Sequence, residues 1–323
     1  FKLSLSWNVN SHTVVQWIAL VYALLPATST WASSILTESF AISGIVFLFY
    51  NLFSCFRNSK ISHALWVTFW LFILIMLRPA FLYLFPALII AWLLVIKNIK
   101  RLAIIGIAGV CFVGCIEFGY CNLFKERYGI FNVSSVSINN QLWMAFQNKL
   151  MVPSYTDNND YKKDIEDFYK NIEGKPNDGE LINFTHLLRQ KYDITTLSNS
   201  IKASQKSLRR EWIKVTLFRF GYSLSEPLLP AWAGSITIKN IFALDMNILY
   251  LFLICYFILL LHSIYKTQSL DQQSILLWIT VVGNLCTVII GAQDAWGRLF
   301  LPSLPLFIIM FGQAFNYIKF NIN

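Results

Sequence analysis

The feature that most constrains this chain is the recurrence of nearly uncharged apolar runs whose length approaches the thickness of a bilayer. They fall at residues 13–27, 39–53, 62–77, 80–96, 102–123, 246–264, 274–292 and 299–318, and Leu, Ile, Phe, Val, Ala and Trp dominate them. A hydrocarbon core of ~30 Å asks for about 20 apolar residues per helix, somewhat fewer where helices tilt around a cavity or their ends snorkel. Charged residues make up 13% of the chain and hydrophobic residues 56%, whereas about a quarter of a soluble domain is charged. The expected fold class is therefore all-α, a polytopic transmembrane helix bundle of about eight spans with one long extracytoplasmic loop region. Five spans fall in residues 1–123, the loop region with an interfacial basic helix in 124–245, and three spans in 246–323.

Lys and Arg of short loops mark the cytoplasmic side of such a bundle. Arg57, Lys60, Lys97, Lys100, Arg101, Lys266 and Lys319 all fall on one face of the eight-span arrangement. Residues 28–38, the turn at Arg78, the long segment and residues 293–298 then face outward. The net charge of +9 is thus an orientation signal; with no contiguous soluble basic domain to enter a groove, nucleic acid is excluded as a partner. Cys111, Cys115, Cys255 and Cys286 sit inside apolar runs, and Cys55 and Cys121 near span ends. No Cys-x-x-Cys pair occurs, so these read as small packing residues. The chain starts at Phe1 with only Lys2 as a basic leader, which reads as a piece of a longer protein rather than a signal peptide. Abundant Ile, Lys, Asn and Phe match an A/T-rich bacterial gene, which makes the bacterial inner (plasma) membrane the expected location.

In the outer segment, residues 122–140 read as an extended or irregular lead-in rich in side-chain donors. Residues 155–180 carry Asp157, Asp160, Asp164, Glu166, Asp167, Asp178 and Glu180 among Asn, Gly and Pro, which reads as a solvated loop. A divalent cation is the one candidate cofactor, although the regular Asp-x-Asp-x-Asp-Gly ladder of a calcium loop is missing. Lys202, Lys206, Arg210 and Lys214 recur every four residues and form one stripe on a helix. Trp212, Ile213, Leu217, Phe218 and Phe220 crowd its end, as in a helix lying along a membrane interface. The stripe either touches anionic headgroups or guards the way in for a phosphate-bearing lipid. Asn132-Val133-Ser134 and Asn183-Phe184-Thr185 match a glycosylation acceptor, which only a eukaryotic secretory pathway would use.

Leu77-Arg78-Pro79 sets a cation between two apolar runs. An arginine at mid-bilayer costs from ~2.5 to more than 10 kcal/mol, so one at a turn is expected to reach headgroups, water or an anionic partner. Glu38, Asp294 and Arg298 also lie within a few residues of a span end on the outward side. Together the four outline a ring around a polar cavity. Arg78 and Arg298 suit a phosphate or diphosphate, since a guanidinium offers forked donors and keeps its charge when desolvated. Glu38 and Asp294 are candidates for substrate or metal contact, with a plain Asp294–Arg298 ion pair the structural alternative. Snorkelling to headgroups is the structural alternative for each arginine.

Leu25-Pro26 through Thr37-Glu38-Ser39-Phe40 resembles the third-to-fourth span region of GT-C membrane glycosyltransferases, of the protein-mannosyltransferase and aminoarabinose-transferase type. Leu77-Arg78-Pro79 is similar to their next outer turn, and Tyr128-Gly129-Ile130-Phe131 with Ser134 and Asn139 to the start of their long outer loop. Gly297-Arg298-Leu299-Phe300-Leu301-Pro302-Ser303-Leu304-Pro305 looks like their late Arg-Tyr-x-x-Pro-x-x-Pro span, departing from it where a Tyr often follows the Arg. The resemblance implies a polyprenyl-phosphate-sugar donor, with membrane lipid as the surrounding partner, and transfer to an acceptor at the outer face in building the cell envelope. It assigns Arg78 and Arg298 to the donor phosphate and Tyr128, Ser134 and Asn139 to loop contacts. It places the catalytic carboxylate in a first outer loop that would precede Phe1, so no catalytic residue is assigned. Rival classes are an O-antigen-type polymerase or ligase, a lipid or sugar flippase, and a non-enzymatic scaffold. A flippase predicts ionisable groups near span centres, yet apart from Glu117, late in the fifth span, and His262, near an inner end, the spans are nearly free of charge.

Overall fold

The structure is a computed structural model that describes residues 37–96, 99–133, 136–172, 174, 176–223, 246–267, 271–291 and 300–322. Among the described residues the chain is all-α, with twelve helices and no strand. It divides into two compact units. Unit 1 comprises Phe1–Cys115, Ser223–Val288 and Ala295–Asn323, and unit 2 comprises Ile116–Tyr222 and Ile289–Asp294.

Unit 1 begins with α1 (Thr37–Asn58) and α2 (Ile61–Leu77), an antiparallel hairpin closed by Ser59 and Lys60. Ser59 takes a left-handed backbone (φ 52) and donates its N–H to the Cys55 carbonyl at 2.9 Å, which ends α1 in one residue. Gly44 lets the helices close: a Cβ there would stand 2.8 Å from Leu74 Cδ2. One turn further along, Phe47 stacks on Trp70 with centroids 5.1 Å apart. Pro79 then opens a short 3-10 turn (Pro79–Tyr83) that leads into α3 (Leu84–Val95). Trp92 of α3 is fully buried, edge-on to Phe56 at 5.6 Å. α4 (Lys100–Tyr128) starts in this unit, and its Gly106 lies so close under the Trp92 ring that a Cβ would meet it at 2.1 Å. Glycine there is a packing requirement.

The rest of unit 1 comes from α10 (Met246–Thr267), α11 (Gln272–Gly291) and α12 (Leu304–Ile322), the last preceded by a 3-10 turn at Leu301–Ser303 that packs on α1. Polar side chains tie these helices at few points. Tyr256 donates to Gln313 Oε1 at 2.5 Å, Trp278 Nε1 to the Leu253 carbonyl at 3.1 Å, and Gln272 Nε2 to the Leu94 carbonyl at 2.8 Å. α10 leaves Leu251, Ile254, Ile258 and Leu261 more than half exposed. A helix that shows its apolar side outward needs an apolar surround.

Among the described residues, four helices are long and apolar enough to cross a membrane: Phe40–Asn58, Lys100–Tyr128, Leu249–Lys266 and Gln272–Ile290. That is compatible with an integral membrane protein. The apolar helices Ile61–Leu77, Ala80–Val95 and Leu304–Ala314 are shorter, and at 1.5 Å per residue none spans a ~30 Å core when upright. The expectation of about eight spans therefore reduces to four helices of full length among the described residues. The expected span at 13–27 lies outside them.

Unit 2 departs from the sequence expectations more sharply. Residues 122–128, expected to be irregular, continue α4 to Tyr128, where Gly129 (φ 75) turns the chain. The acidic stretch expected to be a solvated loop contains α6 (Asn159–Lys170) and opens α7 (Asp178–Lys191). Asn158 caps α6 by accepting from the Tyr161 N–H at 3.0 Å, and Asn177 with Glu180 forms a reciprocal capping box. The Asn residues that look like loop markers are N-caps, so acidic helix surfaces passed for a loop. The basic stripe, expected on one helix, is divided between α8 (Ile194–Ser207) and α9 (Arg209–Ser223) by a bend at Leu208 (φ −111, ψ 37).

A bundle core joins these helices with α5 (Val136–Gln147): Leu142, Phe146, Tyr161, Ile165, Leu181, Leu188, Leu197 and Ile201 are buried together. Phe146 sits centrally, edge-on to Phe184 at 5.0 Å and Phe168 at 5.5 Å. Most of its buried polar atoms are bonded: Ser204 donates to the Leu150 carbonyl at 2.7 Å while accepting from Trp212 Nε1 at 3.0 Å, and the Tyr161 and Ser200 hydroxyls pair at 3.3 Å, whereas the Tyr169 hydroxyl is buried without a partner.

Candidate functional site

The chemistry-bearing positions of unit 1 gather at one end of the α1–α2 hairpin. Arg78 follows directly on α2, and the proline after it excludes the helical region, so its backbone is extended (φ −153, ψ 125). Its N–H still closes the last turn onto the Leu74 carbonyl at 3.0 Å, and its own carbonyl accepts from the Phe81 N–H at 3.1 Å. The Arg78 side chain is half-buried. Residue 38 lies in the first turn of α1, and α1 runs antiparallel to α2 with Gly44 beside Leu74. Residues 38 and 78 lie about 1.7 and 1.1 turns beyond that contact, at the same end. The Glu38 side chain lies outside the description.

Five residues past Arg78, Tyr83 stands at the start of α3 with its ring against Gly283 of α11, where a Cβ would meet it at 3.2 Å. Its hydroxyl is buried without a hydrogen-bond partner, and so is that of Ser303. Asn284, next to Gly283 and 1% exposed, donates to the Phe300 carbonyl at a long 3.4 Å. Tyr83, Asn284 and Ser303 thus place weakly engaged polar atoms in the apolar interior near the Arg78 turn. Sequence reading missed Tyr83 and Asn284. The available signal was a polar residue of donor and acceptor capacity within a turn of a flagged motif.

Asp294 and Arg298 lie outside the described residues, as does Ser134. Tyr128 and Asn139 belong to unit 2, whereas Arg78 and Glu38 belong to unit 1. Tyr128 is exposed; its ring lies 4.6 Å from that of Phe124, with the Arg127 guanidinium 5.4 Å from its centre, and its carbonyl accepts from Thr195 Oγ1 at 3.2 Å. Asn139 is half-buried in the first turn of α5. Tyr128 thus has structural work in unit 2.

Several acidic side chains of unit 2 are likewise engaged. Asp164 takes Lys191 Nζ on both oxygens, at 3.0 and 2.8 Å, and the Tyr192 hydroxyl at 2.6 Å. Burial opposes its ionisation, but the bonds from Lys191 and Tyr192 outweigh it and hold the carboxyl below the ordinary aspartate value. The same contact raises Lys191 above the usual lysine range. Asp193 is lowered by the Thr196 hydroxyl it accepts from while capping α8. No group of three or more His, Cys, Asp or Glu side chains converges as a metal cage among the described residues. Arg219 is 8% exposed and donates to Met144 Sδ at 3.2 Å and the Ile290 carbonyl at 3.5 Å.

Comparison with protein-family models, with curated proteins and with solved structures finds no match to this chain.

Proposed function

We propose that this protein is a membrane glycosyltransferase that takes a sugar from a polyprenyl-phosphate-linked donor, with the Arg78 end of unit 1 as the site for the lipid-borne phosphate. The observation that carries the reading is the half-buried Arg78 at the break between two apolar helices, with the loosely bonded Tyr83, Asn284 and Ser303 nearby. A permanent cation in an apolar surround favours a desolvated anion, and polar atoms without strong internal partners suit hydroxyl-rich ligands. The crossing set in this reading is about eight spans, with the short helices α2, α3 and α12 among them, and the site faces outward in a bacterial plasma membrane.

The chemistry would be displacement at the anomeric carbon. The acceptor hydroxyl forms the new bond to that carbon while the bond from carbon to phosphate oxygen breaks, and a carboxylate takes the hydroxyl proton. Arg78 offsets the charge left on the departing phosphate, with Arg298 as its second cation and Glu38 or Asp294 orienting sugar hydroxyls. The test is transfer of radiolabelled sugar from a polyprenyl-phosphate donor in membranes carrying the full-length protein. Arg78→Ala is expected to lower transfer roughly 10²–10³-fold, the range for loss of one group that stabilises developing charge, with Arg78→Lys in between. Unchanged transfer in Arg78→Ala, at equal protein level, overturns the assignment. Sugar-lipid crossing vesicles without covalent transfer would instead identify a flippase.

A further inference from the structure

The bend between α8 and α9 creates a feature that the donor site does not use. An open groove of about 500 Å³ has Lys206 and Arg209 on one wall, Trp212 in its floor, and Ile213, Thr216 and Leu217 along its continuation. The floor is rigid, because the Trp212 indole is held by Ser204, itself bonded to the Leu150 carbonyl. The wall cations are uncommitted: among the described residues no ion pair or hydrogen bond engages the Lys206 or Arg209 side chain, whereas Lys214 is paired with Glu211 at 2.9 Å.

The outward face of α9 changes character along its axis. Its inward side is Trp212, Arg219 and Ser223, all buried. On the outward side, the first turn carries Arg209 and Arg210, and further along stand Ile213, Leu217 and Phe218 at 50%, 65% and 66% exposure. Seven residues separate Arg210 from Leu217, about 10 Å of helix, comparable to the 5–10 Å that an interfacial helix sinks toward the acyl boundary. The two arginines stand at the start of α9, while Lys214, exposed between Ile213 and Leu217, is paired with Glu211.

We propose that this groove seats the headgroup of an anionic phospholipid, with α9 entering the interface tip first. Lys206 and Arg209 meet the headgroup phosphate, Trp212 lies against the glycerol level, and Leu217 and Phe218 reach the acyl chains. A bilayer is the occupant because the groove joins cations to exposed apolar side chains in depth order, and the same chain carries four helices of membrane-crossing length. The site is separate from the donor-phosphate reading and survives its failure.

The test uses the full chain in nanodiscs of phosphatidylcholine mixed with phosphatidylglycerol, counting by native mass spectrometry the lipids that stay bound on release. The wild type is expected to retain phosphatidylglycerol over phosphatidylcholine. The double variant Lys206→Gln/Arg209→Gln should lower that retention roughly 25-fold, at about fivefold per cation near an anionic surface. Lys202→Gln/Lys214→Gln removes the same charge outside the groove and should stay within about twofold of wild type. All four positions are exposed, and circular dichroism confirms that the helices are kept. Equal losses in both double variants overturn the groove in favour of diffuse charge attraction. Unchanged retention in the groove variant also overturns it, and points to an acidic protein partner instead.

Discussion

The two units satisfy the polar atoms of their apolar interiors to different degrees. In unit 2, Ser204 bridges the Leu150 carbonyl and the Trp212 indole, Tyr161 pairs with Ser200, and Asp164 gathers Lys191 and Tyr192. Among its described buried side chains the Tyr169 hydroxyl is the exception, without a partner. In unit 1 the side-chain polar atoms of Tyr83, Trp92 and Ser303 are buried without a partner. Unmet bonding capacity of that kind costs stability and persists where something else uses it. The proposed donor site lies in the unit with more of these unmet groups.

The largest effect that sharpens this contrast is loss of the unit 2 core. Phe146→Ala, at a fully buried ring among Phe168, Tyr169 and Phe184, should cost about 3–5 kcal/mol. Hydrogen exchange on the full chain should show protection falling in α5–α9 while α1–α3 keep theirs. Loss of protection in α1–α3 as well would mean one cooperative body and break the comparison.

A smaller effect compares two buried serines. Ser204→Ala strands both the Leu150 carbonyl and the Trp212 indole and should cost about 1–3 kcal/mol, whereas Ser303→Ala removes an unpartnered hydroxyl and should cost less than about 1 kcal/mol. Thermal unfolding of the purified chain measures both, and sugar transfer should fall for Ser303→Ala alone. Reversed costs would place the satisfied interior in the wrong unit.

The smallest effect is pH-dependent. Asp164 is depressed when folded, so its contribution is present above the ordinary aspartate value near 3.9 and lost as pH falls through the lower folded value. Lys191 is raised, so its contribution is present below about 10.4 and lost as pH rises through the higher folded value. Protection of α6 and α7 should be level between those limits, and Asp164→Asn should remove both slopes. A slope near neutrality in the wild type would show that another group links these helices.

Much of the architecture was legible because burial in lipid leaves a coarse signature. Uninterrupted apolar runs at 39–53, 62–77, 80–96, 102–123, 246–264 and 274–292 fall on helices, and Arg78-Pro79 ends one of them for a reason local to the proline. Unit 2 was less legible. Its helices bury narrow faces, such as Tyr161 and Ile165 of α6, beneath acidic and amide residues that also suit a loop. Whether Asn158 and Asn177 mark turns or cap helices depends on the core those helices join.

Taken alone, the sequence determined that this chain is helical and rich in membrane-length apolar segments, since hydrophobic composition and run length are local properties that no partner alters. Only the tertiary structure decided that Tyr83, Asn284 and Ser303, separated by up to 220 positions, share one interior with the Arg78 turn, and that the basic stripe bends at Leu208 into a groove. Those relations arise from helix packing, where close approach at a glycine or a single buried bond sets which side chains meet.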